Sequence, residues 1–325
     1  MKTIEITEIG NPADVLTLKE TPAPTVKPGE VRVEVLATPI HPSNLLSIAG
    51  QYGEKPQLHS VPGVEGVGRV VELGEGVTHL EAGQNVLLAG GMGTWRDEMV
   101  GPADGFIPLP PGDVEQLSMV ALNPVTAHLL LTKFRTLKPG DWIIQSAANS
   151  AVGELIIQLA AQRGIKTVNI VRRESLIPAL KALGADIVLV DQDDLAERVK
   201  EATSGAPIVY GIDCVGDETF THILDTLAYG GTLTTYGALS MRSPALNLGA
   251  AIFKEISIHG FWSAKWFETA SPTERQDVFG TLIPMVANGK LKTKIDSRFP
   301  LEEIDQAVAR AAEAGRDGKV LLVPN

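Results

Sequence analysis

Apolar residues fall in two rhythms along this chain. In residues 1–119 they come in short runs that alternate with polar positions, the period-two signature of half-buried strands. Lys2–Ile6, residues 15–19, 31–37 and 68–74, and Asn85–Leu88 read as strands, with turns at Pro28-Gly29-Glu30 and around Gly83. Many short strands of this kind predict a compact β-barrel-like domain rather than a parallel sheet. The exception is residues 43–50, which read as a short helix with Ser43 as its N-cap, followed by the loop 51–56.

Around residues 119–135 the rhythm turns helical, and beyond it strands and helices alternate. Residues 142–147 form a short apolar run, 148–153 a turn of small residues, and Leu155, Ile156, Leu159 and Ala160 recur at helical spacing up to Gly164. Lys166–Val171 is a second β-branched run, so this stretch is one βαβ unit. Further strands are expected at Ile187–Val190, 208–215, 231–237 and 256–260, with helices near 176–183, 194–204 and 217–229. Six strands with interposed helices predict an α/β fold, a doubly wound parallel sheet whose right-handed crossovers cover both faces. After Trp262 the alternation ends. A helix is expected over 272–289, capped by Ser271, then a second over 301–314 and a last strand over 319–323. This tail is expected to return to the first domain. The division is then 1–119 with 263–325, and 120–262.

The βαβ turn carries the first chemical signal. It places a helix N-terminus, with its free backbone N–H groups, at the carboxyl end of a strand, where a pyrophosphate is favoured. Of the three glycines usual there, Asn149-Ser150-Ala151-Val152-Gly153 keeps only the last. Small residues still let a phosphate approach the backbone, and Asn149 and Ser150 add side-chain donors. About 20 residues further on, where an NAD site carries an acid, stands Val171-Arg172-Arg173. Arginine suits a 2′-phosphate, which points to NADPH. The alternative is a solvated turn in which Glu174 neutralises one arginine.

Composition narrows the class. With 325 residues, 44% of them apolar and 21% charged, the chain is expected to be a globular protein of two domains. A net charge of −11 argues against a nucleic-acid or anionic-membrane surface. The one cysteine, Cys214, rules out an internal disulfide and a four-cysteine zinc site. No run approaches the roughly 20 apolar residues of a membrane span. The first residues read directly as a strand, with no signal or transit peptide, so a cytoplasmic protein is expected.

Together these stretches resemble the medium-chain dehydrogenase/reductase superfamily. The likeness runs the full length. It includes Pro62-Gly63-Val64-Glu65-Gly66-Val67-Gly68, Leu137-Lys138-Pro139-Gly140-Asp141 and Lys181-Ala182-Leu183-Gly184-Ala185-Asp186. Within the superfamily the chain looks most like the mitochondrial-type trans-2-enoyl-thioester reductases. That likeness is carried by the Asn149–Gly153 loop, Asn169-Ile170-Val171-Arg172, Thr235-Tyr236-Gly237-Ala238-Leu239-Ser240, and Ile252-Phe253-Lys254 leading to Gly260-Phe261-Trp262. Two stretches depart from the pattern. His41-Pro42-Ser43-Asn44 replaces the common Asn-Pro-Ser-Asp, and Arg173-Glu174 differs from the residues after the family's first arginine.

The resemblance implies a GroES-like β-barrel catalytic domain joined to a Rossmann NADPH-binding domain. It implies a catalytic role for Tyr52, in the loop before Pro56-Gln57-Leu58, because a phenol can hydrogen-bond a developing enolate oxygen. A loop tyrosine packing on the surface is the alternative. Cofactor contact is implied for Asn123, which would also suit a helix N-cap before Pro124. It is implied for Tyr236, Gly237, Ala238 and Leu239 after the fifth parallel strand, for Phe261 and Trp262 after the sixth, and for Lys319. Zinc is not expected. His41 stands at the position resembling the zinc enzymes' first cysteine, and Val64 where their histidine precedes Glu65, so no complete ligand set is visible. His41 and Glu65 are expected to be structural, and Cys214 an inert core thiol. His128, His222 and His259 show no partner pattern and are assigned no chemistry.

The function so implied is NADPH-dependent reduction of the C2=C3 double bond of a trans-2-enoyl thioester. The alternatives are reduction of quinones or other activated alkenes, and, outside enzymes, a non-catalytic NADPH-binding sensor or structural protein. A homodimer paired through the edge strand 256–260 is also expected.

Overall fold

The computed structural model describes residues 1–324. In chain order the strands are β1 (Lys2–Ile6), β2 (Leu16–Glu20), β3 (Glu30–Pro39), β4 (Gly66–Leu73), β5 (Asn85–Leu88), β6 (Glu98–Pro102), β7 (Ile107–Pro108), β8 (Trp142–Gln145), β9 (Lys166–Val171), β10 (Ile187–Val190), β11 (Ile208–Asp213), β12 (Leu227–Thr235), β13 (Ser257–Gly260), β14 (Ile295–Phe299) and β15 (Lys319–Leu322). The helices are α1 (Pro12–Val15), α2 (Pro42–Ile48), α3 (Val114–Leu117), α4 (Asn123–Thr132), α5 (Ala151–Gln162), α6 (Ile177–Ala182), α7 (Leu195–Ala202), α8 (Asp217–Thr226), α9 (Leu248–Phe253), α10 (Ser263–Thr269), α11 (Pro272–Ala287) and α12 (Ile304–Ala312). Two compact units result: Met1–Leu122 with Ser271–Asn325, and Asn123–Ala270.

The first unit is built on β3, whose alternate residues Val31, Val33, Val35 and Ala37 are buried. It pairs antiparallel with β4, β6 and β15 in a sheet ordered β14-β15-β3-β4-β5-β7. One core lies over this sheet, from Val33 and Val70 to Phe106. A second joins the ends of the chain, packing Ile4, Ile6 and Ile40 against Leu301, Ile304, Val308 and Leu322. Residues from Leu301 onward thus pack in one core with the first strand. Helix α12 buries Ile304, Ala307, Val308 and Ala311, spaced three, one and three residues apart on one face. Each large aliphatic side chain so buried contributes about 1.5–3 kcal/mol.

The second unit is one parallel sheet, ordered β10-β9-β8-β11-β12-β13. Its inner strands β8 and β9 are buried at nearly every position because helices cover both faces. Ile144, Val168 and Ile170 meet Leu195, Val199, Phe220 and Leu224 on one face, while Ile157, Val171, Leu180 and Val188 pack together in another cluster. The strand order reverses between β8 and β11, the topological switch where nucleotides bind in such sheets.

Several expectations need adjusting. Helix α2 starts at Pro42, with His41 rather than Ser43 as its N-cap. Pro42 has the φ a first helical residue needs, and Asn44 Oδ1 accepts the His41 N–H at 2.8 Å. Helix α8 stops at Thr226 because Leu227 is buried and already paired with Ile208 in β12. The division between units falls at 122/123 and 270/271, so α10 groups with the parallel sheet rather than with the tail.

Candidate active site

The Asn149–Gly153 turn sits between β8 and α5. Ser150 is the N-cap of α5, and its hydroxyl accepts the Gly153 N–H at 3.1 Å. The remaining first-turn N–H groups carry the positive end of the helix dipole. A buried polar set supports the turn from below. Gln145 Nε2 donates to the Gly153 carbonyl at 3.0 Å and to Asn169 Oδ1 at 2.7 Å, and Asn169 Nδ2 donates to Thr167 and to the Ile187 carbonyl. Asn149 is exposed at the tip, and Ala151 and Val152 are half-buried in the first turn of α5.

Across the switch point, Asp213 at the end of β11 is fully committed. Its carboxylate accepts the Ser146 hydroxyl at 2.7 Å and the N–H groups of Val215 and Gly216. Burial nevertheless raises its pKa. Tyr236 follows β12, and its hydroxyl lies near Ser150 and the Cys214 sulfur. Burial, then the Cys214 sulfur, keep this phenol protonated well above its ordinary range. The structure thus brings together two stretches predicted separately, the end of β12 and the cap of α5. Gly237, Ala238 and Leu239 continue as an exposed ledge, held by Leu239 N–H to the Cys214 carbonyl. Burial pushes the Cys214 thiol up to about 12, so it is unreactive as expected.

Arg172 and Arg173 lie exposed directly beyond β9. Phe261 extends the β12–β13 pairing through its N–H to the Thr235 carbonyl, and its ring packs edge-on against Phe134 at 5.4 Å. Trp262 is the N-cap residue of α10. Asn123 is the first residue of α4 and is buried, and its Nδ2 has no hydrogen-bond partner. An orphaned buried amide donor is costly unless a ligand or water meets it.

In the first unit Tyr52 is half-buried in the turn after α2. Lys319 belongs to the same unit. It is buried at the start of β15, with Nζ 3.0 Å from His41 Nδ1. His41 Nε2 lies 2.7 Å from Glu65 Oε1, and Glu65 Oε2 accepts the Leu122 N–H at 2.8 Å. Both ring nitrogens of His41 and both oxygens of Glu65 are therefore engaged. Among the described residues no group of three or more His, Cys, Asp or Glu side chains is placed to hold a metal.

The histidine reading needs one correction. His222 does have a partner: Nδ1 is 2.8 Å from Asp191 Oδ1, and the Thr219 hydroxyl holds the other oxygen. The 31 residues between His222 and Asp191 hid the pair from any local pattern. His259 packs its ring on Phe134, and His128 is lowered by burial.

With this geometry in place, the likeness to known proteins can be read. Residues 27–111 match the alcohol dehydrogenase GroES-like domain family, and residues 151–280 the zinc-binding dehydrogenase family. The mitochondrial enoyl-[acyl-carrier-protein] reductase of Xenopus tropicalis is 38% identical over 324 residues, covering 97% of this chain and 93% of that protein. The Etr1p/Etr2p heterodimer of Candida tropicalis, a mitochondrial 2-enoyl thioester reductase, superposes with a TM-score of 0.90 at 28% identity over 99% of each chain. Etr1p with NADP and crotonyl-CoA gives 0.91 at 28% identity, again over 99% of each chain. A putative NADPH:quinone reductase from Bacillus thuringiensis gives 0.90 at 30% identity, over 99% of this chain and 98% of that one. Fold and site define a medium-chain dehydrogenase/reductase. Within that superfamily the chain belongs to the mitochondrial-type enoyl-thioester reductases, which are NAD(P)H-dependent oxidoreductases. No helix of the described residues is long and apolar enough to cross a membrane, and the relatives are named mitochondrial.

Proposed function

We propose that this chain reduces the C2=C3 double bond of a trans-2-enoyl thioester, with NADPH as the reductant and Tyr52 as its catalytic phenol. The observation that carries the reading is the likeness to reductases of this class along the whole chain, 38% identical over 324 residues. NADPH, when bound, supplies the hydride to the β-carbon. One proton completes the α-carbon, so thioester, NADPH and H⁺ give the saturated thioester and NADP⁺.

This chain's residues bind and orient. The Ser150-capped turn Asn149–Gly153 takes the pyrophosphate at the N-terminus of α5. Arg172 and Arg173 pair with the 2′-phosphate and set the preference for NADPH. The free Nδ2 of Asn123, the buried ammonium of Lys319, the ledge Tyr236–Leu239, and Phe261 with Trp262 serve the nicotinamide half. Tyr52 donates its phenolic hydrogen bond to the thioester oxygen as negative charge gathers there. The relatives are named mitochondrial enzymes.

Assembly belongs to the same reading. The sheet ends at β13, whose four residues are all exposed. Beside it in sequence and sheet lie Phe253, 82% exposed, with Ile252, Leu248 and Tyr229 also exposed. We assign this edge to a two-fold homodimer, in which paired β13 strands satisfy each other's open backbone groups.

A second reading, quinone reduction, is favoured by the Bacillus thuringiensis neighbour. Steady-state NADPH oxidation with crotonyl-CoA and with a benzoquinone, side by side, separates the two. The enoyl-reductase reading expects the higher kcat/KM on the thioester. Turnover of the quinone alone overturns it, and turnover of neither leaves the non-catalytic NADPH-binding protein.

A further inference from the structure

The buried cluster of Lys319, His41 and Glu65 has a direction built into it. An ammonium can only donate, so His41 Nδ1 accepts from Lys319 at 3.0 Å. Nε2 must then carry the imidazole proton and donate it to Glu65 Oε1 at 2.7 Å. The Leu122 N–H anchors the other carboxylate oxygen. The imidazole is neutral, because burial, then Lys319 and Arg316, hold it well below its ordinary pKa. Lys319, His41 and Glu65 are only 5%, 2% and 1% exposed, so neither end charge would persist there alone. Burial lowers Lys319 to about 8 and raises Glu65 to about 8, and each charge supports the other through the imidazole. Arg316, before β15, is the other charge acting on the lysine, and it opposes the ammonium.

Among the described residues the Lys319 ammonium makes this one hydrogen bond, so two of its three N–H donors are open in a buried residue.

We propose that His41 and Glu65 are positioning residues for Lys319, holding its ammonium so that its two open N–H groups meet an oxygen acceptor on the bound cofactor or substrate. This rests on the reading of Lys319 as a ligand-binding residue. The two sources of that oxygen are separable by which constant responds.

The test is a double-mutant cycle on the full chain with Lys319→Met, His41→Asn and both together. The readouts are NADPH Kd by fluorescence titration, KM and kcat for crotonyl-CoA, and a thermal melt. Lys319→Met is expected to weaken one constant at least tenfold: NADPH Kd for a cofactor oxygen, or crotonyl-CoA KM for a substrate oxygen. His41→Asn should weaken the same constant, and the double variant should be no worse than Lys319→Met alone. If the two effects multiply instead, His41 does not act through Lys319 and the proposal falls. If Lys319→Met changes neither constant, the reading of Lys319 itself fails, which is a separate result. If His41→Asn does not fold, Glu65→Gln replaces it, keeping the shape and removing the charge. The lysine-dependent constant should weaken in wild type as pH rises through about 8. In Glu65→Gln that weakening should begin at lower pH, because the carboxylate no longer supports the ammonium. An unmoved profile contradicts the relay.

Discussion

Gly153 packs so closely on Ala148 that a Cβ there would stand 2.7 Å from the Ala148 carbonyl oxygen, and 2.8 Å from that of Ala147. Backbone is rigid, so the helix would have to move. This explains which glycine survives in the turn: the one at which α5 meets the strand-end backbone.

Gly153→Ala is therefore expected to displace the first turn of α5. Overpacking of this kind costs about 1–3 kcal/mol. The thermal midpoint should fall, and NADPH Kd by fluorescence titration should rise at least tenfold. A variant with wild-type affinity would detach the turn from cofactor binding.

The parts of the fold that were legible in sequence are those where one physical cause dominates. β10 is an unbroken apolar run, and β9 is short, β-branched and almost wholly buried, so both stand out from the helices around them. The Asn149–Gly153 turn was legible because a helix cap acts over three residues. The nearness of Tyr236 to Ser150 was not, since it depends on β12 returning beside β8's turn. The His41–Lys319 bond spans 278 residues and left no local trace. Serine is a good capping residue, so Ser43 is the cap the sequence suggests, whereas Pro42 and the Asn44 side chain set the cap two residues earlier, at His41.

Arg172 and Arg173 should discriminate between cofactors. Arg172→Ala is expected to raise NADPH Kd about tenfold, or about 1.4 kcal/mol, and to leave NADH Kd unchanged. Equal wild-type affinity for the two cofactors would remove the 2′-phosphate assignment.

The exposed β13 edge should govern assembly. Ile258→Asp with Phe253→Asp places charge on that surface and should give monomers at micromolar concentration by light scattering, where wild type is dimeric. Monomeric wild type, or an unaffected dimer in the variant, would place the interface elsewhere.

Asp296 in β14 takes a bidentate bond from Arg310, with Nε at 2.8 Å and Nη2 at 2.6 Å. Arg310 above all lowers the Asp296 pKa to about 2. The folded pKa is below the unfolded value of about 3.9, so this stability is present above pH ~4 and is lost as pH falls toward 2. Asp296→Asn should melt lower than wild type at neutral pH, with the gap closing between those limits. A gap independent of pH would mean the pair stabilises by packing.

The central claim is that Tyr52 stabilises the oxygen charge that appears as hydride reaches the β-carbon. Tyr52→Phe removes one hydroxyl and keeps the ring. Loss of a well-placed oxyanion donor costs about 3–4 kcal/mol, or roughly two to three decades in rate. The deciding measurement is kcat of Tyr52→Phe on crotonyl-CoA, with deuterated NADPH reporting whether hydride transfer limits the rate. The account predicts a kcat lower by two to three decades, with NADPH Kd and the melting midpoint unchanged. Near-wild-type turnover under an isotope effect that shows hydride transfer to be limiting would contradict it.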